Sequence, residues 1–76
     1  MKELVEFIAA SLVDDPREVR VREVQVGKET RIEVRVAGGD LGRIIGRQGR
    51  TARALRALLA AAGRKTRKVY NLEIVE

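Results

Sequence analysis

The strongest constraint on this 76-residue chain is that its hydrophobic period changes three times. Leu4, Val5, Ile8 and Leu12, with Phe7 and Ala9 at the margins, recur at helical spacing over residues 2–12 and stop before Asp14-Asp15-Pro16. This is an amphipathic first helix. Valines at 19, 21, 24 and 26 then alternate with polar residues, with a phase slip that predicts a bulge near Arg22-Glu23. After the turn-like Gly27-Lys28-Glu29, Ile32, Val34 and Val36 alternate with Arg31, Glu33 and Arg35, so the two runs are expected to form a hairpin.

The helical period returns after Ala37-Gly38-Gly39. Asp40 is placed to cap a short helix that carries Leu41, Ile44 and Ile45 toward the core. Beyond a Gly46-Arg47-Gln48-Gly49 loop, Leu55, Leu58, Leu59 and Ala62 line one face of a longer helix while Arg50, Arg53 and Arg56 line another. Gly63 is its expected terminator. Tyr70, Leu72 and Ile74 alternate with Asn71 and Glu73 in a last strand. Both aromatic residues, Phe7 and Tyr70, fit core-facing positions. The fold class is α+β, in the order α-β-β-α-α-β, with three strands and three helices forming one domain over residues 1–76.

Length and composition narrow what such a domain does. With 45% hydrophobic residues the chain can build one modest core, and without cysteine no disulfide or thiolate metal site supplements it. Histidine is absent as well, which removes the commonest general base and metal ligand. There is no GxxxxGK[ST] or GxGxxG run, and Asp14-Asp15 before a proline is a turn and capping pattern. No catalytic constellation, metal site or cofactor is expected. Acids among the N-terminal apolar residues exclude a signal peptide or membrane span there, so a soluble cytoplasmic protein is expected. The arginine-rich composition fits either a GC-rich genome or a warm habitat.

Charge is polarised along the chain. Between Leu41 and Leu72 lie nine basic residues and no acid, whereas the remainder has seven basic and eleven acidic residues, a net charge of −4. Scattered surface charge mixes both signs, so this imbalance favours a polyanion-binding face over a solvated helix surface. The glycine loop lies inside the basic stretch. Two glycines around two polar residues make a turn of little bulk that can approach a sugar-phosphate chain and offer N–H donors.

The element order, with Gly42-Arg43-Ile44-Ile45-Gly46-Arg47-Gln48-Gly49-Arg50-Thr51 between its last two helices, resembles a KH domain of the prokaryotic type II. Length and motif wording are similar to the small bacterial KhpA (YlqC-like) RNA-binding family, with Ile44 and Arg47 where valine and lysine are frequent. The resemblance covers essentially the whole chain. It implies single-stranded RNA binding, with single-stranded DNA as a possible competitor, in which the loop clamps about four nucleotides against a groove. Gly46 and Gly49 would admit the backbone, Arg47 would fork onto phosphate, and Gln48 would contribute an amide. Arg43 and Arg50 flank the loop, and Thr51 and Arg53 complete the candidate set.

The resemblance further implies an aliphatic groove floor, for which Ile44, Ile45, Val34 and Val36 are the candidates. Core packing is the favoured role of Val34 and Ile45, whereas Ile44 stands between core and base contact. Arg53 and Arg56 either track phosphate or solubilise an alanine-rich helix, and Arg64-Lys65-Thr66-Arg67-Lys68 reads as a solvated connector. With no aromatic platform, recognition is expected to be weak and loosely sequence-selective. The family also implies an RNA chaperone or post-transcriptional regulator tied to cell-envelope growth and cell shape. It implies homodimers, or heterodimers with a larger KhpB (Jag/EloR-like) protein, and neither a membrane nor a small-molecule substrate. Ala54, Ala57 and Ala61 form a small-residue helix face that either meets such a partner or packs against the chain's own sheet. The competing class is a helix-turn-helix DNA binder, which would require duplex.

Overall fold

The computed structural model describes residues 1–75. Its order is α1 (Lys2–Leu12), β1 (Arg20–Val26), β2 (Glu29–Arg35), α2 (Leu41–Ile45), α3 (Arg50–Thr66) and β3 (Val69–Val75). Short 3₁₀ turns at Pro16–Glu18, Gly38–Asp40 and Arg47–Gly49 join them. The α+β class and the α-β-β-α-α-β order are therefore those expected. The sheet has the order β1-β2-β3, with β1 antiparallel and β3 parallel to the central β2. Parallel pairing needs a long crossover, which α2 and α3 supply.

One face of the sheet carries the core. Val21, Ile32, Val34 and Leu72 point toward the helices, where Val5 and Ala9 of α1, Ile44 of α2, and Leu55 and Leu59 of α3 meet them. Removing a side chain such as Leu59 or Ile44, both fully buried, costs about 2–5 kcal/mol through lost burial and the cavity left behind. The opposite face has no helix over it. It holds the ion pairs Arg22 to Glu33 (2.6 Å) and Arg31 to Glu73 (3.4 Å).

That one-sided arrangement explains the first departure from expectation. β1 runs without a bulge, in unbroken register from Arg20 opposite Arg35 to Val26 opposite Glu29. No phase slip is required, because Val24 and Val26 lie on the open face while Val21 faces the core. Phe7 is the second departure, being 71% exposed. Val5 and Ala9, one turn apart, set the buried face of α1, and Phe7 lies on the opposite side of the helix. Leu58 is also exposed, because Ala52, Leu55, Leu59 and Gly63 form the buried stripe of α3.

Asp40 occupies the N-cap position of α2 but makes no capping hydrogen bond there. Its buried carboxylate instead accepts the backbone N–H groups of Asp14 (3.1 Å) and Asp15 (3.0 Å), fastening the loop after α1 to the start of α2. A buried carboxylate is retained only with such donors.

Gly63 does not end α3, which continues to Thr66. The helix terminates at Arg67, held in the left-handed region (φ 59°, ψ 38°), with the Lys68 N–H donating to the Gly63 carbonyl at 2.8 Å. Such a bond across the last turn satisfies an orphan helix carbonyl. Gly63 is instead a packing position. A Cβ there would run into the Lys68 carbonyl oxygen and sit 3.4 Å from the Tyr70 ring.

Candidate nucleic-acid interface

The loop at Gly46 to Gly49 is a backbone device. Gly46 adopts φ 78°, ψ 169°, a region essentially closed to other residues, and a Cβ on it would collide with the Thr51 side chain and lie 2.8 Å from the Thr51 nitrogen. The Gly46 N–H donates to the Gly42 carbonyl (2.8 Å) and the Gly49 N–H to the Gly46 carbonyl (3.0 Å), closing two tight turns in succession. Gln48 is left-handed (φ 57°, ψ 26°), so the chain projects Arg47 and Gln48 into solvent at the tip. Immediately beyond, the first turn of α3 has no side-chain cap. The Arg50 N–H donates to the Arg47 carbonyl, closing the loop onto the helix, and the positive end of the 17-residue helix points toward the loop.

The loop opens onto a cleft of about 480 Å³ between α3 and the edge strand β3. Ile45, Ala52, Leu72 and Ile74 give it an apolar floor, and Arg53 and Arg56 form the α3 wall. A strip that is apolar below and basic at the side accommodates bases inward and phosphates outward. Glu73 reaches the rim, where Arg31 pairs with it. Arg47, Arg50, Arg53 and Arg56 form no ion pair among the described residues, so their charge is available to a polyanion. Arg50 only reaches Gln48, at 3.5 Å.

Not every candidate joins this surface. Ile44 has 0% exposure and belongs to the core, whereas its neighbour Ile45, 39% exposed, faces the cleft. On a five-residue helix adjacent positions point about 100° apart, so only one can face inward. Val34 and Val36 are likewise buried. The floor comes from β3, because β2 is the central strand and lies beneath the helices. Arg43 is held by Asp14 (2.9 Å) and Asp40 (3.6 Å), acids that lie outside the basic stretch in sequence but beside it in space. Thr51 packs under Gly46 and supports the loop from within. Ala52, Leu72 and Ile74 line the cleft without having been expected there, Ile45 faces it although core packing was its favoured role, and Arg56 lies on the wall that its phosphate-tracking alternative implied. A signal for Arg56 is present in its spacing of three from Arg53, but which strand forms the cleft is not visible from periodicity.

A glycine-bracketed turn between two helices, set over a cleft whose far wall is the edge strand of a mixed sheet, defines this molecule as a KH domain of the type in which the extra helix and strand come first. The chain belongs to the KhpA/KhpB KH-domain family, whose pattern matches residues 2–74. It is 50% identical to the RNA-binding protein KhpA of Aquifex aeolicus over 76 residues, covering all of this chain and 96% of that one. It is 49% identical to RNA-binding protein KhpA of Borreliella burgdorferi, over 97% of this chain and 90% of the relative. The protein of that name from Halalkalibacterium halodurans is 47% identical over the full length of both. No solved structure matches the chain. No helix among the described residues is long and apolar enough to cross a membrane.

Proposed function

We propose that this protein binds single-stranded RNA, holding about four nucleotides between the Gly46 to Gly49 loop and the α3–β3 cleft. The observation that carries this is the loop itself. Its glycine-only backbone brings exposed Arg47 and Gln48, and the uncapped start of α3, to the mouth of a basic-walled apolar cleft. Phosphates would meet Arg47, Gln48 and the positive end of α3, while bases would lie over Ile45 and Leu72. The KhpA names of the relatives support RNA as the ligand.

In the decisive test, Arg47→Asp with Gln48→Asp keeps the circular dichroism spectrum and lowers affinity for a labelled oligouridine by at least tenfold, since two carboxylates then face phosphate. Unchanged affinity in a polarisation titration rejects the clamp. Binding should also weaken with salt, with a log-log slope of roughly −0.7 per phosphate contacted. Duplex should compete poorly, because Arg53 and Arg56 line the α3–β3 cleft, and the exposed face of α3 offers alanines and Leu58 in place of the polar side chains a recognition helix needs.

Four nucleotides give weak binding, so useful affinity would come from joining two domains and raising effective concentration. Ala54, Ala57, Leu58 and Ala61 are all exposed, which leaves packing on the chain's own sheet unable to explain them. This face is the proposed contact for a second copy or for a KhpB-type partner, in an RNA chaperone or regulatory role. Light scattering of Ala57→Glu tests it: a folded monomer supports the interface, and an unchanged dimer removes it.

A further inference from the structure

The four-nucleotide clamp accounts for only half of the groove between α3 and β3. Positions 53, 56, 60 and 64 are spaced by three or four residues and so line up along one face of α3, with Gly49 and Arg67 at its two caps. The N-terminal part of that row, with residues 72–74 of β3, forms the cleft beside the loop. The C-terminal part, with residues 69–71, forms a second cleft of about 460 Å³. Because α3 and β3 run in opposite directions, the two clefts follow each other along one groove.

This second cleft has the chemistry of a polyanion site. Arg64, Arg67 and Lys68 line it, no acid does, and none of the three forms an ion pair among the described residues. Tyr70, half-buried, and Val69 supply an apolar surface beside them. The geometry is built rather than incidental. The absence of a side chain at Gly63 lets the Lys68 carbonyl and the Tyr70 ring close onto α3, and the left-handed turn at Arg67 folds the basic residues back over the cleft. The segment that reads in sequence as a solvated connector is thus a shaped basic wall.

We infer that a strand of RNA longer than the clamp continues along the α3–β3 groove into this second cleft, where Arg64, Arg67 and Lys68 take further phosphates. The inference rests on the clamp reading for the first part of the path and on charge complementarity and continuity for the rest. Along α3 Arg64 lies about 12 Å beyond Arg56 and about 21 Å beyond Arg50 at the loop, more than the Debye length of about 8–10 Å. Charge at the second cleft therefore acts little on a ligand confined to the first.

That separation makes the experiment. Fluorescently labelled four-nucleotide and ten-nucleotide oligouridines are titrated by polarisation across a salt series against the full chain, the triple variant Arg64→Gln, Arg67→Asn, Lys68→Gln, and the clamp variant Arg47→Asp, Gln48→Asp. Asparagine tolerates the left-handed conformation at 67, and all three sites are exposed, so the fold is retained. A longer strand offers the clamp more registers, so affinity alone does not decide; the salt slope does. The unmodified chain should show a slope for the ten-nucleotide strand steeper by roughly 2, corresponding to about three further phosphates. In the triple variant the short strand should bind within twofold of the unmodified protein. The long strand should lose about tenfold in affinity and fall back to the short strand's slope. Equal slopes for the two lengths, or a triple variant that leaves the long strand untouched, overturn the inference while the clamp stands. If the clamp variant retains the long strand and the triple variant loses it, the clamp reading fails and the second cleft remains.

Discussion

The two ends of α3 are built from the same parts used in different ways. Each presses a glycine against a neighbouring segment, Gly46 on Thr51 and Gly63 on Lys68, and each holds a polar non-glycine residue at positive φ, Gln48 and Arg67. At the start of the helix the glycine is needed both for its own backbone angle and for space. At the end it is helical and is needed for space alone, while Arg67 takes the strained conformation. A glycine in a sequence therefore marks two distinct demands, and only the first produces a loop.

Substitutions at these four positions separate the demands. Gly46→Ala combines a closed backbone region with a collision against Thr51, and should cost about 3 kcal/mol, lowering the melting temperature by about 10–20 °C. It should also remove RNA binding, because the tip would no longer sit over the cleft. Gly63→Ala should cost about 2 kcal/mol through the forced retreat of Lys68 and Tyr70, with clamp binding of a four-nucleotide strand retained by the folded protein. If Gly63→Ala proves neutral by thermal denaturation, the glycine is not a packing position and the comparison collapses.

The smallest effects sharpen the contrast. Arg67→Gly relieves left-handed strain of about 1–2 kcal/mol while adding freedom to the unfolded chain, for a net gain of about 0.5 kcal/mol. Gln48→Gly should give a similar small gain in denaturant midpoint but weaken binding of the short strand severalfold, since the amide at the tip is lost. Equal effects of the two variants on the four-nucleotide strand would falsify the assignment of that tip to the ligand.

Much of this was legible in advance. Element order followed from the period changes, and the loop from two glycines at its borders. What failed did so for identifiable reasons. Phe7 sits near an apolar stripe on α1, but Val5 and Ala9 alone choose the buried face. The supposed bulge in β1 assumed that all four valines seek one core, whereas the sheet is covered on one side. Arg43 belonged to an acid-free run, yet Asp40 lies just before that run, three residues away, and folding brings Asp14 to it from the loop after α1.

By itself the sequence determined the type and order of the elements, the family pattern and the glycine turn, because these rest on local sterics and on periodicity within a few residues. Tertiary structure decided that Ile45 and not Ile44 meets the cleft, that β3 and not β2 is its far wall, and that Gly63 seats a crossing strand. Periodicity specifies that a face is buried without naming what buries it. Parallel pairing of β3 beside β2 after a long crossover supplies that neighbour, and with it the groove in which the arginines of α3 acquire a common direction.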